Sequence, residues 1–192
     1  MNTWNTDTAG PSVEAFMRQD ALYALYIDRL RDLHSAERQQ LEVLATIAES
    51  APGTEFGRTL LGHLQETAAQ VIRIEQLCCD LRTSPLGRVA RGMEGLLRDI
   101  TEIMERDTEN DAREAALIAC VQAAEHLEIA GYGTARAYAA TLGLGDHEVL
   151  LQQSFNEESR TDYILYGIAL NTVRIDPDTL DQTVRETQSH RV

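Results

Sequence analysis

Acidic side chains recur in this chain at positions where the helical period calls for hydrophobes. Glu37, Glu125, Glu128, Glu158 and Asp162 each fall on an apolar stripe of helical spacing, and Glu66 lies one position off its own stripe. The first predicted helix presents Leu30, Leu33, Glu37, Leu41 and Leu44 to its core, and the last presents Leu151, Phe155, Glu158, Asp162, Leu165 and Ala169. Between them, Ile118, Val121, Glu125, Glu128, Tyr132, Ala135, Ala139 and Leu142 follow steps of three and four, so Glu125 and Glu128 share one face. An unpaired buried carboxylate costs several kcal/mol or takes up a proton, and a cluster drawn from four helices needs compensating positive charge. Metal cations meet that need. A carboxylate-rich site with one or two imidazoles suits iron or manganese better than structural zinc.

The helix limits follow from punctuation. A first helix is expected from about 19 to 49, stopped by Ala51-Pro52-Gly53, and a second from about 54 to 81 with the stripe Phe56, Leu60, His63, Thr67, Gln70, Ile74, Leu77, Leu81. Pro85, Gly87 and Gly92 then separate it from a short amphipathic helix, Met93 to about Glu105. Long helices at about 110–141 and 146–172 complete the set, bounded by Gly143, Gly145 and Asp176-Pro177. The expected fold is all-α: a four-helix bundle of two antiparallel hairpins with an extra short helix in the crossover. The domain spans 19–174, between polar tails at 1–18 and 175–192. Both hairpins carry their acids similarly, and a pseudo-twofold pair would bring four helices' carboxylates to one level, as a dinuclear site requires.

With 192 residues the chain is long enough for one well-buried domain. Its 17 basic against 31 acidic residues give a net charge of −14, which disfavours nucleic acid and anionic membranes as partners. Cys78, Cys79 and Cys120 lack any C-x-x-C spacing, and the start MNTWNTDTAGPS has neither a basic end nor an apolar core, so a reducing cytoplasm is expected.

The runs LYIDRLRDLHSAERQQLEVL, GHLQETAAQVIRIEQL, GMEGLL, AALIAC, AEHLEIAGYGTARAYAATLGL and LLQQSFNEES, between residues 22 and 170, closely resemble the YciE/YciF-type ferritin-like proteins, a bacterial stress-associated family. The resemblance implies a ferritin-like bundle, a homodimer, and kinship with rubrerythrins, bacterioferritins and manganese catalases. It implies a dinuclear iron or manganese centre reacting with dioxygen or peroxide, as in a ferroxidase or a peroxidase- or catalase-like oxidoreductase. Glu37 would be the lone first-helix ligand, Glu66 and Glu158 the bridging carboxylates, and Glu125 and Glu128 the paired third-helix acids. The chain departs from the superfamily at Ala69 and Thr161, which stand where Glu-x-x-His histidines belong; His63 and Asp162 are the nearest substitutes. That departure favours a rival, a non-catalytic dimeric bundle with a degenerate or empty site. Iron storage in a large shell has less support.

Each candidate also has a plainer reading. Glu37 could pair with Arg31, Arg38 or an arginine of another helix, and Glu158 or Asp162 with Arg160 or Arg136. His63 could be a hydrogen-bonded core histidine, Tyr132 a packed aromatic whose hydroxyl reaches a carboxylate, and His34 a donor to Glu37. His126, turned about 100° from the seam, is expected beside the site or at the surface.

Overall fold

In the computed structural model the described residues are 13–107 and 109–172, with side chains from Met17 onward. They form five helices and no strand: α1 (Val13–Ser50), α2 (Glu55–Asp80), α3 (Arg91–Glu105), α4 (Asn110–Thr141) and α5 (Gly145–Thr172). The limits agree with the sequence punctuation except at the start, where α1 begins at Val13 and takes in residues assigned to a polar tail. Residues 1–12, 108 and 173–192, which hold the rest of the expected N-terminal tail, the last two residues of the expected domain and the whole expected C-terminal tail, lie outside the described residues.

Local chemistry sets the turns. Thr54 caps α2 by accepting the Gly57 N–H at 3.0 Å, after Gly53 has turned the chain with φ +79°. α4 ends on Gly143 at φ +74°, with the Leu144 N–H returning to the Ala139 carbonyl at 2.9 Å. The same geometry ends α2, but there a non-glycine, Arg82, takes φ +52°. The crossover that follows has no regular structure and is fastened to α1 at both ends, by Arg31 at its start and, toward α3, by Arg88 on Asp32 and the Ala90 N–H on Ser35 Oγ at 3.0 Å. Arg31 donates to Thr83 Oγ1 at 3.0 Å and to the Ser84 carbonyl at 3.1 Å, and Gly87 lies so close that a Cβ there would sit 2.8 Å from Arg31 Cβ.

The four long helices touch in a closed ring, α1 to α2, α2 to α5, α5 to α4 and α4 to α1, while α3 lies across α1 and α4. Two apolar clusters fill the interior. One gathers Leu44, Ile47, Phe56, Leu60, Ile118 and Val121 with Met93 and Ile100 of α3. The other gathers Tyr26, Leu30, Ile74, Leu77, Tyr132 and Leu151. Every long helix passes from one cluster to the other, and at the crossing each carries polar side chains: Glu37 and Gln40, His63 to Gln70, Glu125 and Glu128, Ser154 to Thr161. The apolar cores thus hold a polar layer at a fixed depth. No described helix is long and apolar enough to cross a membrane.

Two glycines of α2 test the packing at its first turns. A Cβ on Gly57 would meet the Ala51 carbonyl oxygen at 2.2 Å, whereas one on Gly62 would meet nothing within 4 Å. Gly57→Ala should therefore lower Tm by about 5–10 °C through overpacking. Gly62→Ala should raise it by about 2 °C by removing helix-interior glycine. Calorimetric melting of the two variants checks both signs.

Candidate metal centre

The polar layer brings together Glu37 of α1, His63 of α2, Glu125 and Glu128 of α4, and Glu158 of α5, all fully buried or nearly so. Donor atoms of His63, Glu125, Glu128 and Glu158 all lie within 4.8 Å of one another. His63 Nε2 is 3.0 Å from Glu125 Oε1 and 3.9 Å from Glu158 Oε2, yet it makes an aligned hydrogen bond to neither. The imidazole and the carboxylates face a common space rather than one another. Six carboxylate oxygens, Glu37 Oε2, both of Glu125, both of Glu128 and Glu158 Oε2, have no hydrogen-bond partner.

The remaining two oxygens are held from outside the cluster. The Tyr132 hydroxyl, one turn beyond Glu128, donates to Glu37 Oε1, and the Gln70 amide donates to Glu158 Oε1. In both cases one oxygen is pinned and its twin is left facing the layer. Gln40 and Thr67 add polar atoms without hydrogen-bond partners at the same depth.

The electrostatics follow from burial. Desolvation pushes the Glu37, Glu128 and Glu158 carboxyls well above the usual carboxylate range, and the negative neighbours reinforce it: Glu158 acts on Glu37, Glu37 and Glu158 on Glu128, and Glu125 on Glu158. Glu125 is pushed up to about 8, first by burial; the adjoining Glu158 carboxyl pulls the other way, while Glu37, Asp162 and Glu66 raise it further. Positive charge is scarce. His63 and Arg73 lower Glu37, and His63 lowers Glu158, but burial outweighs both. Tyr132 is likewise held in its neutral, donating form, by burial first and then by Glu37 and Glu158.

The structure separates the candidate ligands into two groups. Glu37, Glu125, Glu128, Glu158 and His63 converge. Glu66 does not: its side chain is 30% exposed and pairs with Arg160 across the α2–α5 seam, one residue's rotation, about 100°, from the inward stripe. Asp162 is 23% exposed and faces α4, bonded to His126 Nε2 at 3.1 Å and to Gln122 Nε2 at 3.1 Å. Neither carboxylate belongs to the layer, and their influence on it is confined to electrostatic effects on Glu125.

The arginines proposed as partners are engaged elsewhere: Arg31 with the crossover and Asp28, Arg160 with Glu66, Arg136 with Gln152, while Arg38 is exposed. His34 turns to Glu75, at 3.1 Å, and not to Glu37. Gln40, Thr67 and Gln70 also lie at this depth, where helical spacing from Glu37 and His63 puts them.

Comparison with known proteins agrees with the architecture. A family model described as "Domain of unknown function (DUF892)" matches residues 21–176. The chain belongs to the DUF892 family. Among similar proteins, Protein YciF of Escherichia coli (strain K12) is 36% identical over 160 residues, which cover 82% of this chain and 95% of that protein. The crystal structure of the E. coli stress protein YciF matches with a TM-score of 0.76 and 34% identity over 81% of this chain and 98% of the other. A second solved structure, "YcfI, a putative structural protein from Rhodopseudomonas palustris", matches with a TM-score of 0.72 and 32% identity over 80% of this chain and 95% of the other. The described residues are all-helical, and over most of its length the chain is similar to YciF.

The raised carboxyl groups give the metal-free protein a defined pH response. A carboxyl whose folded pKa lies above its unfolded value near 4.5 adds stability that is complete below that value and is lost as pH rises through the folded pKa. The melting temperature of chelator-treated protein should fall from about pH 5 through pH 8, the window set by the unfolded value and by Glu125. Glu128→Gln should leave Tm near its wild-type value at pH 5 and raise it by about 5–10 °C at pH 8, as measured by calorimetry in the presence of chelator.

Proposed function

We propose that this protein is a ferritin-like four-helix bundle that holds iron or manganese between its helices and acts in bacterial stress protection. The observation that carries the reading is the set of six unsatisfied carboxylate oxygens facing one imidazole in a fully buried layer. A donor set of many oxygens and a single nitrogen suits iron or manganese rather than thiolate-preferring ions. Glu37, Glu125, Glu128, Glu158 and His63 would hold the metal, with Tyr132 and Gln70 keeping Glu37 and Glu158 turned toward it. Four carboxylates and one histidine suffice for a pair of ions, the arrangement that ferritin-like bundles build from facing helices. Once bound, such a pair would supply electrons to dioxygen or peroxide. The protein's own contribution is to exclude water and to keep both oxygens of Glu125 and Glu128 available as the charge at the centre changes.

A second reading is favoured by the ligand set itself. Ala69 and Thr161 leave His63 as the one imidazole of the cluster, and the outward position of Glu66 removes a bridging carboxylate from α2. A bundle that binds metal without turnover, or that remains neutral through protonated carboxyls, would tolerate both changes. The suggested structural role of YcfI belongs with this reading.

Anaerobic titration with ferrous iron or manganese, followed by mixing with peroxide or dioxygen, tests the proposal. A pair of ions per chain and oxidation faster than that of free iron are expected. Saturating metal at about a thousandfold over Kd should raise Tm by about 8–16 °C. The double variant Glu125→Gln, Glu128→Gln should lose binding altogether, whereas Glu66→Gln and Asp162→Asn should retain it within about threefold. Absence of uptake under these conditions would leave the structural reading standing.

A further inference from the structure

Glu37, Glu125, Glu128 and Glu158 have no exposed surface, and His63 is 2% exposed, so an ion that occupies them must pass between two helices. The apolar clusters close the layer above and below. Beside α1 and α4 lies a cleft of about 830 Å³, but its wall toward the layer is Leu33, Ala36, Leu127 and Gly131, none of which carries a side-chain donor atom. Between α4 and α5, Asp162 takes a hydrogen bond from Gln122 and pairs with His126, and no oxygen or nitrogen of the cluster bonds to them.

The α2–α5 seam differs. Gln70 is buried and gives its amide hydrogens to Glu158 and, at 3.1 Å, to Glu157, whose side chain is 14% exposed. Glu157 also receives the Arg73 guanidinium at 2.9 and 3.2 Å. A continuous line of polar contacts therefore joins a partly exposed carboxylate to a buried one through a single side chain. Two ion pairs of opposite sense flank Gln70: Glu66 of α2 with Arg160 of α5, and Arg73 of α2 with Glu157 of α5. Such pairs close a seam with charges that water and an incoming cation can replace, whereas opening interlocked leucines exposes apolar surface.

We propose that divalent cations reach the buried layer through the α2–α5 seam, with Glu157 as the outer carboxylate that first takes the ion and Gln70 as the side chain that swings aside to pass it to Glu158. The inference rests on the metal-site reading given above. Arg73 competes with the ion for the same two Glu157 oxygens, which makes it the latch of the route.

Rapid mixing of the metal-free full-length protein with cobalt(II), followed by its ligand-field absorption, measures uptake; competition with a chelator measures release. Glu157→Gln should slow uptake and release together by about tenfold while equilibrium affinity moves by less than about threefold; Gln70→Leu, which also frees Glu158, should slow both by about tenfold, with its loss of affinity measured separately at equilibrium. Arg73→Gln should accelerate both, and Arg88→Ala, at the α1–α4 cleft, should change neither. Unaltered rates in Glu157→Gln and Gln70→Leu with cobalt still bound would overturn the route alone. In Glu157→Gln, slowed uptake matched by an equal loss of affinity would also overturn it, since Glu157 would then hold the ion and not pass it. Failure of the wild-type protein to bind cobalt would overturn the metal-site reading and the route with it. Should Gln70→Leu not fold, judged by circular dichroism, the two surface variants Glu157→Gln and Arg73→Gln decide the matter.

Discussion

Everything in this structure is arranged around the enclosure of four carboxyl groups between two apolar clusters. Without compensation, each would either carry a charge far from water or hold a proton it would release in solution. The fold spreads the four over α1, α4 and α5 and sets one imidazole from α2 against them. It supplies two neutral hydrogen-bond donors, Tyr132 and Gln70, and keeps the guanidinium groups outside. A layer built only for stability would have carried apolar side chains at these positions, and one built to neutralise its acids would have turned arginines inward. This chain has arginines on the same helices and uses Arg73 and Arg160 to close the outer face of the seam, leaving the inner oxygens free.

Much of this was legible in the sequence because the two relevant periods are strong. A helical stripe that continues on both sides of an acid, as Leu30 and Leu33 do before Glu37 and Leu41 and Leu44 after it, fixes the direction of that acid within a few tens of degrees. Glu37, Glu125, Glu128 and Glu158 were all of this kind, and the structure turns all four inward. Glu66 stands one position off its stripe, whereas Asp162 falls on the expected one; the buried stripe of α5 instead runs through Ser154, Glu158, Thr161 and Leu165 and leaves Asp162 on its flank. One step along a helix is about 100°, enough to move a carboxylate from the interior to the flank, where a neighbouring helix decides its partner. Arg160 and His126 made that decision, and periodicity within one helix contains no information about them.

α1 begins at Val13, earlier than the expected start at about 19. Residues 13–18 (VEAFMR) hold four apolar residues and no helix breaker, and continuing an existing helix needs far less from each residue than starting one. Interhelical detail of the other kind, such as the two reciprocal glutamate–arginine pairs on the α2–α5 seam, depends on the register of two helices far apart in sequence. Membership of the DUF892 family and the match to YciF agree with the helical architecture, while the chemistry rests on the layer's own atoms.

The fastening of the crossover by Arg31 has a consequence for how such a chain can vary. One side chain, anchored on α1, holds Thr83, Ser84 and Gly87 in place, so the outward residues Leu86 and Val89, 72% and 55% exposed, bear little responsibility for the path of the backbone. They can be exchanged without disturbing the interior carboxylates. The crossover is thus a stretch of rim on which surface identity can drift between relatives, while the guarded chemistry beneath stays as it is.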